Sequence, residues 1–165
     1  MKNYDDHDLA ELFAAMKPHN SAYHRVDFSV GVLCRAFGCM PADFERGKFL
    51  QRDHVVPQNP HLDPDNNQHA ELIEAMGLRE SDLTRVGGKD VYIVEGNDVI
   101  RAVFKKFLPD AAVPSQDNIV NLRVRPTPAN RVKNNTLPGS MENMFSILCE
   151  NAKAYLPIIE KMEAQ

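Results

Sequence analysis

Apolar residues recur at helical spacing in several stretches of this chain and alternate strictly in one. Leu9, Leu12, Phe13 and Met16 mark one helical face, with Asp5 and Asp6 favouring its N-terminus and Pro18 stopping it. Phe28, Val32, Leu33, Ala36 and Phe37 mark a second, which Asp27 or Ser29 can cap and Gly38 can end. Pro41 opens a short helix, "PADFERG". "HVV" after Asp53 reads as a brief strand, and "PQNPHLDPDNN" as turn or loop. A helix over "NQHAELIEAM" ends at Gly77, and a short one near "ESDLTRV" ends at Gly87 and Gly88. "DVYIV", Asp90 to Val94, is a strand candidate rich in β-branched and aromatic residues. Asn97 or Asp98 caps a helix that turns Val99, Ile100, Val103, Phe104 and Phe107 inward, and Pro109 ends it.

The strict alternation lies in "NIVNLRVRP". Val120, Leu122 and Val124 oppose Asn121, Arg123 and Arg125, which predicts a half-buried strand with the polar set facing solvent. "PTPANRVKNNTLPG" reads as loop. Ser140 then caps a last helix whose stripe is Met141, Met144, Phe145, Leu148, Ala152, Tyr155, Leu156 and Ile159, with Pro157 expected to kink or restart it.

These elements predict an α+β domain, mainly helical, with about six helical segments and a small sheet of two or three strands. One domain is expected over residues 1–165. Its parts are two helix-turn-helix-like hairpins at 28–47 and 67–88, a strand–helix–strand unit at 90–125 and a C-terminal helix at 140–163. The sheet is expected to join 90–94 to 119–125 and to pack on the last helix. An internal echo links "LCRAFGCMPADFERG" with "LIEAMGLRESDLTRVGG": each reads as helix, glycine turn and short acid-rich helix.

Composition narrows the classes. Apolar residues are 43% and charged residues 25%, as in ordinary globular domains. The net charge of −4 provides no general attraction for nucleic acid, so such binding needs a local patch. No apolar run approaches the length of a membrane span, and the polar start "MKNYDDHDLAEL" does not resemble a signal or transit peptide. Three cysteines make no disulfide framework, and the expected location is a reducing cytoplasm. No dinucleotide, phosphate-loop or nucleophile-elbow signature occurs, and no cofactor is expected.

All six histidines precede residue 70, and "RDHVVPQNPHLDPDNNQH" holds three of them. His54, His61 and His69, with Asp53, Asp63 and Asp65, are candidate metal ligands by residue type. Their spacing fits neither a zinc framework nor a helical pair, and "DPDNN" lacks the glycine and terminal glutamate of an EF-hand loop. A Cys34, Cys39, His54 and His61 set would need ligands from a helix broken at Gly38.

"DHVVP", Asp53 to Pro57, resembles the "DHIxP" entry of the HNH endonucleases, a family of ββα-metal nucleases. The resemblance implies that His54 is the general base for water attack on a phosphodiester, beside Asp53. Asn66 or Asn67 would then order the loop. A metal ligand should follow two turns into the next helix, but Ala75 and Met76 stand there and His69 comes too early. The missing ligand would have to come from elsewhere, such as His24 or Asp27.

Charge separates in one place only. No acid occurs between Asp117 and Glu142, while Arg123, Arg125, Arg131 and Lys133 fall in that interval. A strand with arginines on its outer face and a Pro-stiffened basic loop suits an acidic partner, or is simply a protected edge. The hairpins expose Asp43, Glu45, Glu80 and Asp82, which repel phosphates. The preferred expectation is therefore a non-enzymatic binding or regulatory accessory protein. It would act through a protein partner, with Arg123, Arg125, Arg131 and Lys133 as the contact. A divergent HNH-like metal-dependent nuclease centred on His54 is one alternative, and a helix-turn-helix DNA-binding regulator the other.

Overall fold

A computed structural model describes residues 3–47, 49–127 and 135–165. It is a mainly helical α+β fold with two small antiparallel sheets. Five α-helices are seen among the described residues: α1 (Asp6–Met16), α2 (Val26–Phe37), α3 (Ala70–Ala75), α4 (Gly96–Phe107) and α5 (Met141–Glu163). The strands are β1 (Leu50–His54), β2 (His61–Leu62), β3 (Thr84–Val86), β4 (Lys89–Ile93) and β5 (Leu122–Pro126).

Helix α5 is the central post. Helices α1, α2 and α4 pack around it, as does a 3-10 turn at Ile119–Asn121. Ser140 caps it by accepting from the Asn143 amide, and it continues through Pro157 rather than restarting there. Its stripe of Met141, Met144, Leu148, Ala152, Tyr155 and Ile159 is buried against Phe13 and Met16 of α1, Leu33 of α2 and Phe104 of α4. Phe13 meets Phe104 edge-on at 4.8 Å. The Tyr155 hydroxyl donates to the Leu122 carbonyl at 2.6 Å, tying the post to β5, and burial pushes its pKa up. Among the described residues no helix is long and apolar enough to cross a membrane.

The sheet pairing differs from expectation. Residues 90–94 and 119–125 do not share a sheet. β5 pairs with β1, from Leu50↔Pro126 to His54↔Leu122, and β4 pairs with β2 and β3. The stretch expected as a helix near "ESDLTRV" is a 3-10 turn at Glu80–Asp82 followed by β3. Gly87 and Gly88, at φ 57 and 79, turn β3 back into β4. "PADFERG" is likewise a 3-10 segment rather than an α-helix. Neither hairpin thus has an α-helical second member of the kind a DNA-reading helix needs.

Three local expectations also change. Arg25, not Asp27 or Ser29, holds the N-cap position of α2, and Glu95, not Asn97 or Asp98, that of α4. Asn97 instead exchanges two hydrogen bonds with Gln116, at 3.1 and 2.8 Å. Phe37, expected inside, is 50% exposed. Gly96 opens α4 where no side chain fits, because a Cβ there would lie 2.2 Å from the Pro57 carbonyl oxygen.

Candidate functional site

The β1–β5 ribbon carries the sequence-predicted residues, and its pleat sorts them onto two faces. Asp53 stands opposite Arg123, and Gln51 opposite Arg125, on one face. Arg52 and His54 point to the other.

On the first face Asp53 is only 5% exposed. Its Oδ2 accepts from Arg123 Nε at 3.0 Å and from Arg125 Nε at 3.1 Å. A buried carboxylate without such partners would be costly, so the two guanidiniums compensate its burial and are themselves held in place. Among the described residues each arginine bonds through Nε alone, and neither pair of Nη nitrogens has a partner there. Both line a cleft of about 360 Å³ closed by Thr136, Leu137, Pro138, Asn143 and Ile147. Arg123 and Arg125 are thus not simply facing solvent: they are anchored on one edge and open on the other. Arg131 and Lys133 lie outside the described residues.

On the second face His54 Nε2 lies 3.0 Å from Asp117 Oδ1, and His24 Nε2 lies 3.2 Å from Asp117 Oδ2. One carboxylate therefore holds two imidazoles drawn from distant parts of the chain. The 115–118 segment also holds the turn at Ala22–His24 by backbone, through the Tyr23 amide and the Asp117 carbonyl at 3.0 Å. The Ser115 hydroxyl supports Asp117 by accepting from its amide at 3.2 Å. The Tyr23 ring sits between the two β1 side chains, 4.4 Å from the His54 ring and 4.5 Å from the Arg52 guanidinium. Arg52 also donates through Nη1 to the Tyr23 carbonyl and, at 2.9 Å, to Ser29 Oγ. Burial lowers the Arg52 pKa. His54 is 11% exposed at its side chain and His24 67%, so the group grades from interior to surface.

The other candidates of "RDHVVPQNPHLDPDNNQH" disperse. His61 pairs with Ile93 across β2 and β4. His69 is buried beneath its own loop, where Nδ1 accepts from the Asp63 amide at 2.9 Å, and burial lowers its pKa. Asp63 receives the Asp65 amide at 2.9 Å and pairs with Lys89. Asn66 receives the Gln68 amide at 2.9 Å, and Asn67 is exposed in the turn before α3. Among the described residues no group of three or more His, Cys, Asp or Glu side chains could hold a metal ion. The strand carrying His54 does not form a hairpin with β2, as a ββα unit would require.

Sequence reasoning did not find Asp117, Tyr23 and Arg52 as the surroundings of His54. No local signal marks them, since Asp117 lies 63 positions from His54. His24, named only as a distant substitute ligand, does arrive beside His54, through hydrogen bonds to the shared Asp117. Asn121 was placed outward with the arginines but is fully buried. Its side chain pairs with Val56, accepting from the amide at 2.9 Å and donating to the carbonyl at 3.0 Å. No family model, no curated protein and no solved structure matches this chain.

Proposed function

We propose that this chain is a non-enzymatic binding protein, and that its partner is a protein presenting carboxylates to the cleft between β5 and α5. The observation that carries this is the half-committed pair of guanidiniums. Arg123 and Arg125 are fixed through Nε by Asp53 and both line the cleft, and among the described residues their Nη groups have no hydrogen-bond partner. Guanidinium held in this way loses little further freedom when a carboxylate docks, which favours recognition. The apolar wall of Leu137, Pro138 and Ile147 excludes water from one side and strengthens such a contact.

The test is affinity purification with the native chain and with Ile147→Glu, which places a carboxylate in the cleft without touching Asp53. The native chain should retain a partner that Ile147→Glu and an Arg123→Glu, Arg125→Glu double variant both lose. Retention should also weaken when ionic strength rises from about 0.05 M to about 0.5 M. A partner retained equally by all three chains rules out this cleft.

A second reading is favoured by the His24–Asp117–His54 group. Two imidazoles on one carboxylate can act as acid and base in phosphodiester cleavage centred on His54. Plasmid and RNA cleavage that survives purification and disappears in His54→Ala would establish it over the binding reading.

A further inference from the structure

Cys34 and Cys39 occupy two positions that the end of α2 brings together. The helix closes on Gly38, at φ 70, and the amides of Gly38 and Cys39 both donate to the Cys34 carbonyl, at 2.9 and 3.2 Å. A closure of this kind folds the residue after the left-handed glycine back over the last turn, where its side chain meets the one five positions earlier. The Cys39 thiol points back accordingly: it donates to the Leu33 carbonyl at 4.0 Å, on the peptide unit that carries the Cys34 amide. Burial, and after it hydrogen bonding with the Cys39 thiol, pushes the Cys34 thiol up to about 11. Cys34 is buried, whereas Cys39 is only partly covered and stands between exposed Gly38 and exposed Met40. The third cysteine, Cys149, is buried on α5, where the charged neighbours acting on its thiol are Lys153 and Glu150.

We propose that Cys34 and Cys39 form a reversible dithiol–disulfide site, oxidised by a low-molecular-weight disulfide of the glutathione type. The order of events follows from access. An attacking sulfur must be ionised and within reach of the reagent, and burial withholds both from Cys34. The Cys39 thiolate therefore attacks one sulfur of the reagent, whose S–S bond breaks and releases one thiol. The Cys34 thiol then gives its proton to solvent, and its sulfur attacks the mixed disulfide at the Cys39 sulfur, expelling the second thiol. Two protein thiols are oxidised to one S–S bond, and the reagent disulfide is reduced to two thiols. The helix end already holds Cys39 over the last turn, so the second attack is intramolecular and costs little further chain freedom. The bridge ties the 3-10 segment at Pro41–Gly47, which leads into β1, covalently to α2. The site does not depend on the Arg123–Arg125 cleft.

Trypsin supplies the readout, because Arg35 lies between the two cysteines. The reduced chain yields Val26–Arg35 and Ala36–Arg46 as separate peptides, and the oxidised chain yields them joined. The full chain is equilibrated in buffers of graded oxidised to reduced glutathione, quenched with acid, alkylated with N-ethylmaleimide, digested and weighed by mass spectrometry. The joined pair should form in the folded chain with an equilibrium constant at least about tenfold above that in concentrated urea, where only sequence proximity remains. Cys34→Ala should accumulate glutathione on Cys39, while Cys39→Ala should leave Cys34 free of it. Cys149→Ala should form the pair as the native chain does. An equilibrium constant no larger in the folded chain than in urea overturns the inference, as does glutathione collecting on Cys34 faster than on Cys39, or a bridge through Cys149.

Discussion

The two faces of the β1–β5 ribbon use one device with different chemistry. On one, Asp53 holds two guanidiniums; on the other, Asp117 holds two imidazoles. Asp53 is 5% exposed and its partners carry permanent charge. Asp117 is 21% exposed at its side chain, and one of its partners, His24, is largely in solvent. The first arrangement fixes strand to strand, and among the described residues the Nη donors of both arginines have no partner. The second fixes a turn and a loop to the strand's end through a carboxylate that is partly open to solvent.

Removing Asp53 should have the largest effect. Asp53→Ala leaves two half-buried guanidiniums without their shared anion and should lower stability by about 3 kcal/mol in urea unfolding. If it costs no more than removal of Asp117, the contrast between the faces fails. Asp117→Asn should cost about 1 kcal/mol, since an amide oxygen still accepts from one imidazole. The acid dependence of stability is expected from the buried histidines His69 and His19. Burial lowers the pKa of His69 in the folded state, so its neutral ring contributes fully above the unfolded value of about 6.5. Below that pH the unfolded chain takes up a proton that the folded ring resists, and stability falls. His69→Asn should therefore flatten the decline of the urea midpoint between about pH 6.5 and pH 5. His19, lowered by burial in the same direction, sustains the remainder. The smallest change is expected for His24→Ala, within about 0.5 kcal/mol, because the pair is exposed on the histidine side.

What the sequence made legible was local. Asp5 closes a capping box with Asp8 at the start of α1, and Ser140 caps α5, where the apolar stripe is long and regular. The echo between the two runs is also real as local grammar. In both, a helix ends at a left-handed glycine, Gly38 at φ 70 and Gly77 at φ 64, and a 3-10 segment leads into a strand. The destinations differ. β3 turns at once into β4 through Gly87 and Gly88, a pair that signals a tight hairpin; all of Thr84–Val86 is exposed, so no apolar alternation announced the strand. β1 reads "LQRDH", with no apolar period at all, and its partner is far away in sequence. Asn121 was misplaced because the alternation was continued past the strand's start: β5 begins at Leu122, and a 3-10 turn before it follows a different geometry. The His54 surroundings failed to show for the same reason as the ribbon, since they exist only once distant segments meet.

That distance has a consequence for how the protein is made. His54 pairs with Leu122, 68 positions later, so β1 leaves the ribosome well before any partner strand exists. At about 5–20 residues per second the wait is several seconds, spent as an unpaired edge. Arg52 and Asp53 put charge on that open edge, and charge on an open strand discourages foreign pairing. Asp53 therefore has two occupations in sequence: a solubilising charge during synthesis, and the anchor of Arg123 and Arg125 once β5 arrives.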